Sequence, residues 1–464
     1  MESRAPRTQD DESGLYQNQA KEIRRRRVVA FCLVFVAALG LRLLCWNDVR
    51  FEARKVQSAV TLNYEQQARL IRENGAASLF DPASRTNDPD LLGHPPGYPF
   101  VLALVHGVFG ERDAAAQIFQ AVCDSIAAAL VFLIAAELLP FGVGLIAGTL
   151  AALAPQLCWN SLMLLPDTLA VLPVLLAVYL LLGARAGRAI IKALAAGVLV
   201  GLSCWLRANA LLLAPFLLLL VPYLFERGGR MRPALALVGG ALLAVAPLTV
   251  RNAVVFGHFI PVSLGAGQTL VEGIGDYDQE RRFGLPDTDL ELMRMEAVEK
   301  SRDDYALTLF GVDAVARDRE RTRRALTVVG AHPFWFAGVM LRRAASMLRL
   351  ERTPLTSTAR VSEGWTRAPR LVVRAAQKLF ITALFLPLYL AGLVLLFHAR
   401  RTHSLAALVA VPVYYLCAQS ALHTEYRYVL AVHYFLFVVA AVALYHAGLA
   451  ARHVWSERAR RREA

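Results

Sequence analysis

The sequence predicts an all-α, polytopic membrane bundle of about ten spans, with juxtamembrane helices in an outward first loop and a second, larger outward loop. Two observations carry this. The 464 residues are 56% hydrophobic, and their apolar residues cluster into runs long enough to cross a bilayer. The short basic clusters, in turn, all fall on one side once those runs are threaded through a membrane.

The runs lie near 28–46, 113–138, 141–160, 168–184, 189–206, 209–225, 233–250, 376–398, 404–420 and 428–448. Arg24, Arg25, Arg26 and Arg27 precede the first and hold the N-terminus in the cytoplasm. The cytoplasmic side then receives Arg185–Arg188, Arg227–Arg232, Arg400–Arg401 and the tail from Arg452 to Arg462. Counting the apolar stretch 97–110 as a full span would move two of these loops outside, so it is read as interfacial. The first run resembles a signal peptide in its basic start and apolar core, but its length, Arg42 and the spans that follow favour a retained anchor.

The expected organisation is a cytoplasmic basic tail (1–27), the first span (28–46), an outward loop (47–112), a bundle (113–250), a large outward loop (251–375), C-terminal spans (376–448) and a second cytoplasmic basic tail (449–464). The formal charge of +13 is mostly orientation signal and contact with anionic lipid. The basic residues are scattered over short loops, which excludes a nucleic-acid-binding domain. Cys32, Cys45, Cys123, Cys158, Cys204 and Cys417 lie in or beside apolar runs with no CxxC pair, and read as small buried hydrophobes. No Walker loop, GxGxxG, HExxH or Gly-x-Ser-x-Gly occurs, which argues against a nucleotide-driven pump or a soluble-type hydrolase.

In the large loop, Asp287–Arg324 is acidic and helix-compatible, and Pro333–Leu350 is amphipathic, with Arg342 and Arg343 suited to a membrane surface. The first loop ends in His94-Pro95-Pro96-Gly97-Tyr98-Pro99. Paired prolines fix φ, donate no hydrogen bond and bias the preceding residue away from the helix, so this run is a rigid re-entry point at the lipid boundary.

The polar residues that could do chemistry sit on the outward side. Asp167, in Leu165-Pro166-Asp167-Thr168, reads locally as a helix N-cap whose remaining lone pairs could still face a cleft. Arg207 and Asn209 occupy a similar turn, Arg251 and Asn252 begin the large loop, and Glu425, Arg427 and Tyr428 precede the last span. Each arginine alone could be snorkelling. Several converging on the less basic side, beside carboxylates, fit a phosphate-binding cleft, because guanidinium matches phosphate in a bidentate fork. Asp124, near mid-span, costs roughly 2.5–3.5 kcal/mol if unpaired and is expected to be structural. The first loop also offers Asp48, Glu52, Glu65, Asp81, Asp88 and Asp90, of which Asp48 and Glu52 lie where the first span emerges.

Taken in order, Tyr64 with Ala68 and Gly75, the HPPGYP run, Gln120 and Asp124, Pro166-Asp167, Gly201 with Arg207 and Pro215, Pro247 with Arg251-Asn252 and Gly257, and Glu425 with Arg427-Tyr428 form a recognisable series. The chain resembles the bacterial lipid-carrier-dependent glycosyltransferases of the type C (GT-C) fold, which include protein O-mannosyltransferases and lipid A aminoarabinose transferases. The resemblance implies a polyprenyl-phosphate sugar donor, an envelope acceptor (lipid, glycan or protein), membrane lipid as surroundings, and inverting displacement at the anomeric carbon in the cytoplasmic membrane. The candidate catalytic set is Asp48, Glu52 and Asp167, and the candidate substrate-binding set is Tyr64, His94, Tyr98, Arg207, Arg251, Asn252, Glu425 and Arg427; of these, the resemblance matches Asp167 to an acidic position of the family's second outward loop and Glu425 and Arg427 to its C-terminal motif. Metal dependence differs among type C enzymes; a divalent metal is compatible with the scattered outward acids, but no ligand cluster marks a site and no cofactor is assigned.

One departure stands out. Such enzymes carry an acidic residue three or four positions before the first-loop tyrosine, where this chain has Val60 and Thr61. Asp48 or Glu52 substitutes for it, Glu65 does, or the chain is weakly active or inactive; Asp48 is favoured. Two other function classes compete with transfer: a transporter or flippase of lipid-linked sugars, and a non-catalytic envelope scaffold. A transporter more often shows inverted repeats and polar groups at the midplane, whereas this chain shows no repeat and concentrates its polar groups on one face, which favours the enzyme.

Overall fold

Proline and glycine divide the apolar runs into helices of unequal length. The computed structural model describes residues 9–88, 92–184, 187–352 and 367–463, and among these it contains helices, turns and loops but no strand. Residues 1–8 of the expected basic tail, Arg185, Asp90, and 353–366 of the large loop lie outside the described residues.

Helix α1 (Gln9–Lys55) continues well past the expected first span, and α2 (Ser58–Asn74) follows a break at Gln57, whose φ is 53°. Then come α3 (Gly97–Phe109), α4 (Asp113–Leu138), α5 (Phe141–Leu153), α6 (Pro155–Asn160), α7 (Asp167–Gly183) and α8 (Ala189–Leu206). Two short pieces, α9 (Leu213–Phe216) and α10 (Val221–Leu224), lead to α11 (Met231–Phe256). The large loop folds as α12 (Ala266–Gly275), α13 (Asp289–Lys300), α14 (Ala314–Ala331) and α15 (Pro333–Met347). The chain closes with α16 (Arg367–Gln377), α17 (Thr382–His398), α18 (Thr402–Ser420) and α19 (Leu430–Glu463). We call the side of the bundle bearing α2 and α12–α15 the loop face.

Not every expected run forms one long helix. Among the described residues, five helices are long and apolar enough to cross a membrane: Lys21–Lys55, Asp113–Leu138, Ala189–Leu206, Met231–Phe256 and Tyr426–Arg461. A sixth is α16 with α17, if that pair, bent by 60°, is one span. The physical reason is local. The 141–160 run breaks at Ala154-Pro155 into α5 and α6, and 209–225 breaks into short turns that include Pro215 and Pro222. Helix α7 has 17 residues, and at 1.5 Å per residue that is about 25 Å, short of a hydrocarbon core of roughly 30 Å. Helix α3, with 13 residues, is shorter still.

Helix α8 packs most closely on α11 through small residues. A Cβ on Gly197 would lie 2.0 Å from the Leu237 carbonyl oxygen, and one on Gly240 would lie 2.2 Å from that of Leu194. Backbones can approach this far only where side chains are absent, a standard device for joining helices in lipid.

The deepest polar contact is Arg42 with Asp124. Arg42 Nε donates to Asp124 Oδ2 at 2.5 Å, and its terminal nitrogens reach the carbonyls of Ala38, Ala151 and Ala152. The Tyr434 hydroxyl donates to the other carboxylate oxygen. All three side chains are buried. The structural role expected of Asp124 is what the fold shows: one carboxylate ties α1, α4 and α19 together and brings α5 in through its carbonyls.

Removing one member leaves the others buried without partners, which costs about 3–5 kcal/mol. D124A is therefore expected to lose most of its folded fraction in detergent, measured by thermal unfolding on size-exclusion chromatography. The double variant R42L/D124L should recover part of that loss, because no uncompensated charge remains.

Candidate functional site

The site begins with a turn held from beneath. Two glutamines one helical turn apart on α4 point at the 161–163 segment. Gln117 Nε2 donates to the Leu162 carbonyl at 3.0 Å, and Gln120 Nε2 donates to those of Ser161 and Met163. Each glutamine oxygen is taken up in turn, by Trp46 Nε1 at 2.9 Å and by the Tyr98 hydroxyl at 2.7 Å. This fixes the chain that leads into Pro166-Asp167.

Asp167 does not cap α7. Pro166 occupies the cap position, no side-chain cap forms, and Asp167 is the first helical residue. Its carboxylate is 4% exposed, and neither oxygen makes a directed hydrogen bond within the protein. The carboxylate instead lies between two guanidinium groups, 3.1 Å from Arg207 and 4.0 Å from Arg427. The cap reading of this residue is thus corrected: its carboxylate is engaged by the arginine pair rather than by the helix start.

Arg207 follows the end of α8, and Arg427 sits in the turn before α19. The Tyr428 ring packs against both, 4.1 Å from the Arg207 guanidinium carbon and 5.0 Å from that of Arg427. Such cation–π contacts are worth roughly 0.5–2 kcal/mol each. Arg427 also donates to the Tyr428 hydroxyl at 3.1 Å and grips Glu425 through two contacts of 2.9 Å. Asn209 Nδ2 donates to the Tyr428 carbonyl at 3.2 Å and so ties the two arginine-bearing turns together.

The first loop supplies the facing wall. Tyr64, on α2, is buried, with its ring edge-on to His94 at 5.4 Å and to Tyr98 at 5.0 Å. Burial raises its pKa, and the charges of Arg207, Asp167 and Arg427 also act on it. A Cβ on Gly97 would lie 2.3 Å from the Trp205 carbonyl oxygen. Only glycine lets the HPPGYP run press against the end of α8, which is how His94 comes to stand by Arg207. Burial, then Arg207 and Arg427, push the His94 pKa down to about 4, so its ring is neutral at pH 7.

The large loop roofs this arrangement. The His423 amide donates to the Thr269 carbonyl of α12 at 2.6 Å, and its ring meets Asp276 at 2.8 Å. Arg343 of α15 donates to the carbonyls of Ser420, at 2.7 Å, and Gly273. The 420–425 segment that ends in Glu425 is thereby clamped to α12. Across the mouth, Gln57 Nε2 reaches Glu425 Oε1 at 3.4 Å.

The fold therefore brings together Asp167, Tyr64, His94, Tyr98, Arg207, Glu425 and Arg427. Other expected residues lie elsewhere. Asp48 is held by Arg370 at 2.5 Å and Arg374 at 3.2 Å, on α16, and contacts neither Arg207 nor Arg427. Glu52 is exposed on α1, and Glu65 pairs with Arg54 at 3.0 Å. Arg251 and Asn252 lie inside α11 rather than beginning a loop. Arg251 donates to the Leu79 carbonyl at 3.1 Å and to Asn87 at 2.6 Å; Asn252 donates to the carbonyls of Ile260 and Val262, both at 2.9 Å. They anchor two loops to the bundle. Thr61, at the position where the resembled enzymes are acidic, is buried with its hydroxyl 3.5 Å from the Leu164 carbonyl. Among the described residues no group of three or more His, Cys, Asp or Glu could hold a metal ion. The site's own acids face guanidinium groups, so these residues do not fit a metal centre. Tyr428 and Gln57 had no assigned role from sequence; adjacency to Arg427 was the only signal for the first, and nothing marked the second.

Residues 93–251 match the family described as dolichyl-phosphate-mannose-protein mannosyltransferase, a stretch that runs from the HPPGYP loop through Asp167 and Arg207 to Arg251. No curated protein matches the chain by sequence. In structure it is similar to the oligosaccharyltransferase of Archaeoglobus fulgidus in its apo form, with a TM-score of 0.50 and 15% identity, over 90% of this chain and 50% of that one. It is also similar to AglB, the oligosaccharyltransferase of the same archaeon, in complex with an inhibitory peptide and a dolichol-phosphate (TM-score 0.50, 15% identity, 93% of this chain and 52% of that one). ArnT from Cupriavidus metallidurans, bound to undecaprenyl phosphate, aligns more loosely, with a TM-score of 0.30 and 14% identity over 76% of this chain and 67% of that one. This chain spans about half the length of the oligosaccharyltransferase chains it matches. The fold is the type C glycosyltransferase fold.

The His423–Asp276 contact sets a pH dependence. The hydrogen bond to Asp276 raises the His423 pKa, against the opposing effect of burial. A raised folded pKa contributes stability that is fully present below the ordinary histidine value of about 6.5, and is lost as pH rises through the raised value. The gap in thermal stability between the wild type and H423Q should therefore be widest near pH 6 and narrow towards pH 8; a gap that widened with pH would contradict the assignment.

Proposed function

We propose that this chain is a membrane glycosyltransferase that moves a sugar from a polyprenyl-phosphate donor to an acceptor of the cell envelope, whether lipid, glycan or protein. The observation that carries the reading is the convergence of Arg207 and Arg427 on Asp167 at the loop face, with Tyr428 stacked against both. Two further findings support it: the family match over 93–251, and the dolichol-phosphate bound by a protein of the same fold. The proposed setting is the cytoplasmic membrane, with both termini in the cytoplasm and the loop face outward, as the arginine distribution favours.

The chemistry asks little of a general acid, because a lipid phosphate is already a good leaving group. It asks for stabilisation of the charge that develops on the departing phosphate, and for donors that need not reorganise as it forms. Two arginines, one held by Asp167 and both braced by Tyr428, supply that. Guanidinium forks match phosphate oxygens in pairs, and Asp167 limits the repulsion between the forks before the donor arrives. Tyr64, His94 and Tyr98 then line the sugar side, aromatic and uncharged at pH 7. The attack is in line and inverts the anomeric carbon.

The test is to incubate purified protein in lipid nanodiscs with labelled polyprenyl-phosphate sugars and to follow release of polyprenyl phosphate. R207A and R427A should each lower release by roughly 100-fold or more, as loss of a charge-stabilising donor does elsewhere. R427K should recover little, since an ammonium lacks the fork. D167N should fall with them. Movement of intact donor between leaflets of proteoliposomes without release of lipid phosphate would replace this reading with a flippase.

A further inference from the structure

We infer that Glu425 is the general base of the proposed transfer, and that it waits on Arg427 until a lipid phosphate displaces it. The inference rests on the reading above and concerns the role that the first loop leaves unfilled. Asp167 and Glu425 are the carboxylates in contact with the arginine pair among the described residues. They differ in access. Asp167 is 4% exposed and wedged between two guanidiniums, whereas Glu425 is 38% exposed at the mouth. A base must come within hydrogen-bond reach of the acceptor hydroxyl, and the buried carboxylate is shut off from an acceptor that arrives from outside.

Glu425 also occupies a revealing position. Its Oε1 accepts a hydrogen bond from a terminal nitrogen of Arg427 at 2.9 Å, and its Oε2 lies 2.9 Å from Nε without hydrogen-bond geometry. The carboxylate thus pairs with the same guanidinium that an incoming lipid phosphate would engage, and the two anions compete for it. The loser is not lost to solvent. The Glu425 side chain caps no helix, and Gln57 Nε2 donates to its Oε1 at 3.4 Å. Gln57 lies at the α1–α2 break, where its φ of 53° is uncommon for a residue other than glycine. Donor binding thus places a freed carboxylate beside the sugar, at the open side of the cleft. Of the first-loop acids nearest the first span, Asp48 is engaged by Arg370 and Arg374 and Glu65 by Arg54, while Glu52 is exposed on α1 and forms no ion pair with Arg207 or Arg427.

The step balances as follows. The acceptor hydroxyl gives its proton to a Glu425 oxygen, and its own oxygen forms the bond to the anomeric carbon. The bond from that carbon to the phosphate oxygen breaks, and its electron pair leaves with polyprenyl phosphate, held by Arg207 and Arg427. Release of the lipid frees Arg427, and Glu425 loses its proton to solvent and returns to that guanidinium.

Two readouts on E425Q separate this from a structural role. Binding of a short-chain polyprenyl phosphate should be unchanged or several-fold tighter than in the wild type, because a competitor for Arg427 has been neutralised; R427A should bind it more weakly. Turnover should fall by about 10²–10⁴-fold, with loss of the acid limb of the pH–rate profile, and E425D should recover part of it. Thermal unfolding of each variant confirms that it is folded. The inference is overturned if E425Q turns over within about threefold of wild type, less than a general base contributes, or if it weakens lipid-phosphate binding as much as R427A does. If the wild type itself neither binds polyprenyl phosphate nor releases it from any donor, the functional reading fails first and takes this inference with it; a wild type that transfers alongside an active E425Q removes the base alone.

Discussion

The contact on which the rest of the structure depends is the buried Arg42–Asp124–Tyr434 triad. It lies in the apolar bundle, yet its members stand on the same helices that reach the site. One turn beyond Arg42, Trp46 donates to Gln117; α1 then continues to the break at Gln57. One and two turns before Asp124, Gln120 and Gln117 hold the carbonyls of 161–163. Seven residues before Tyr434 stands Arg427. A charge buried in this way is not itself a source of large net stability, because desolvation offsets most of the attraction. Its effect is selective. Any slip in rotation or height of α1, α4 or α19 leaves a charge alone in a low-dielectric interior, so the register of the three helices at the loop face is set from the membrane core.

At that face the charges nearly cancel. Two arginines meet two carboxylates, and the carboxylates are not equivalent: one is immobile and buried, the other exposed and on a loop. Two guanidiniums so placed would repel each other if the tyrosine ring and the buried acid were absent. Asp167 and Tyr428 therefore act on the arginines, and Glu425 is the member that can leave. Its position is governed from far along the chain, since α12 is pinned to the 420–425 segment by His423 and Arg343. That helix can lie so close because a Cβ on Gly273 would fall 2.6 Å from the His423 nitrogen.

Much of this was legible in the sequence, and the failures have a common cause. Asp167, Arg207, Glu425 and Arg427 stood out because charged residues in short turns on the less basic side need a reason. Asp124 stood out because a charge within an apolar run must find a partner. What the sequence could not supply was pairing across long separations. Asp48 looked available at the end of the first span, but its arginines come from α16, more than three hundred residues later. Arg251 and Asn252 looked like a loop entrance because the apolar run stops at 250; the helix continues to Phe256, and their side chains are spent on loop carbonyls and Asn87. The apolar runs also hide their own breaks. Hydropathy reads Leu- and Ala-rich turns interrupted by proline as continuous, although the backbone there is broken into short helices.

The substitution at position 61 makes physical sense in this setting. Its side chain is buried and its hydroxyl donates to a carbonyl oxygen, that of Leu164, which can accept a hydrogen bond but not donate one. A threonine hydroxyl suits that neighbour, and an ionised carboxylate would be repelled by it and carry a desolvation cost as well. A chain with threonine here has packed its first-loop helix onto the turn that presents Asp167, at the expense of an acid on that helix. The first loop still reaches the candidate site, through the Tyr64 ring against His94 and through Gln57 on Glu425. In the proposed scheme the loop has passed from supplying the base to steering one supplied by the C-terminal turn. A base borrowed from the phosphate's own arginine is released only when donor is bound, so proton transfer is tied to donor occupancy by competition for one guanidinium.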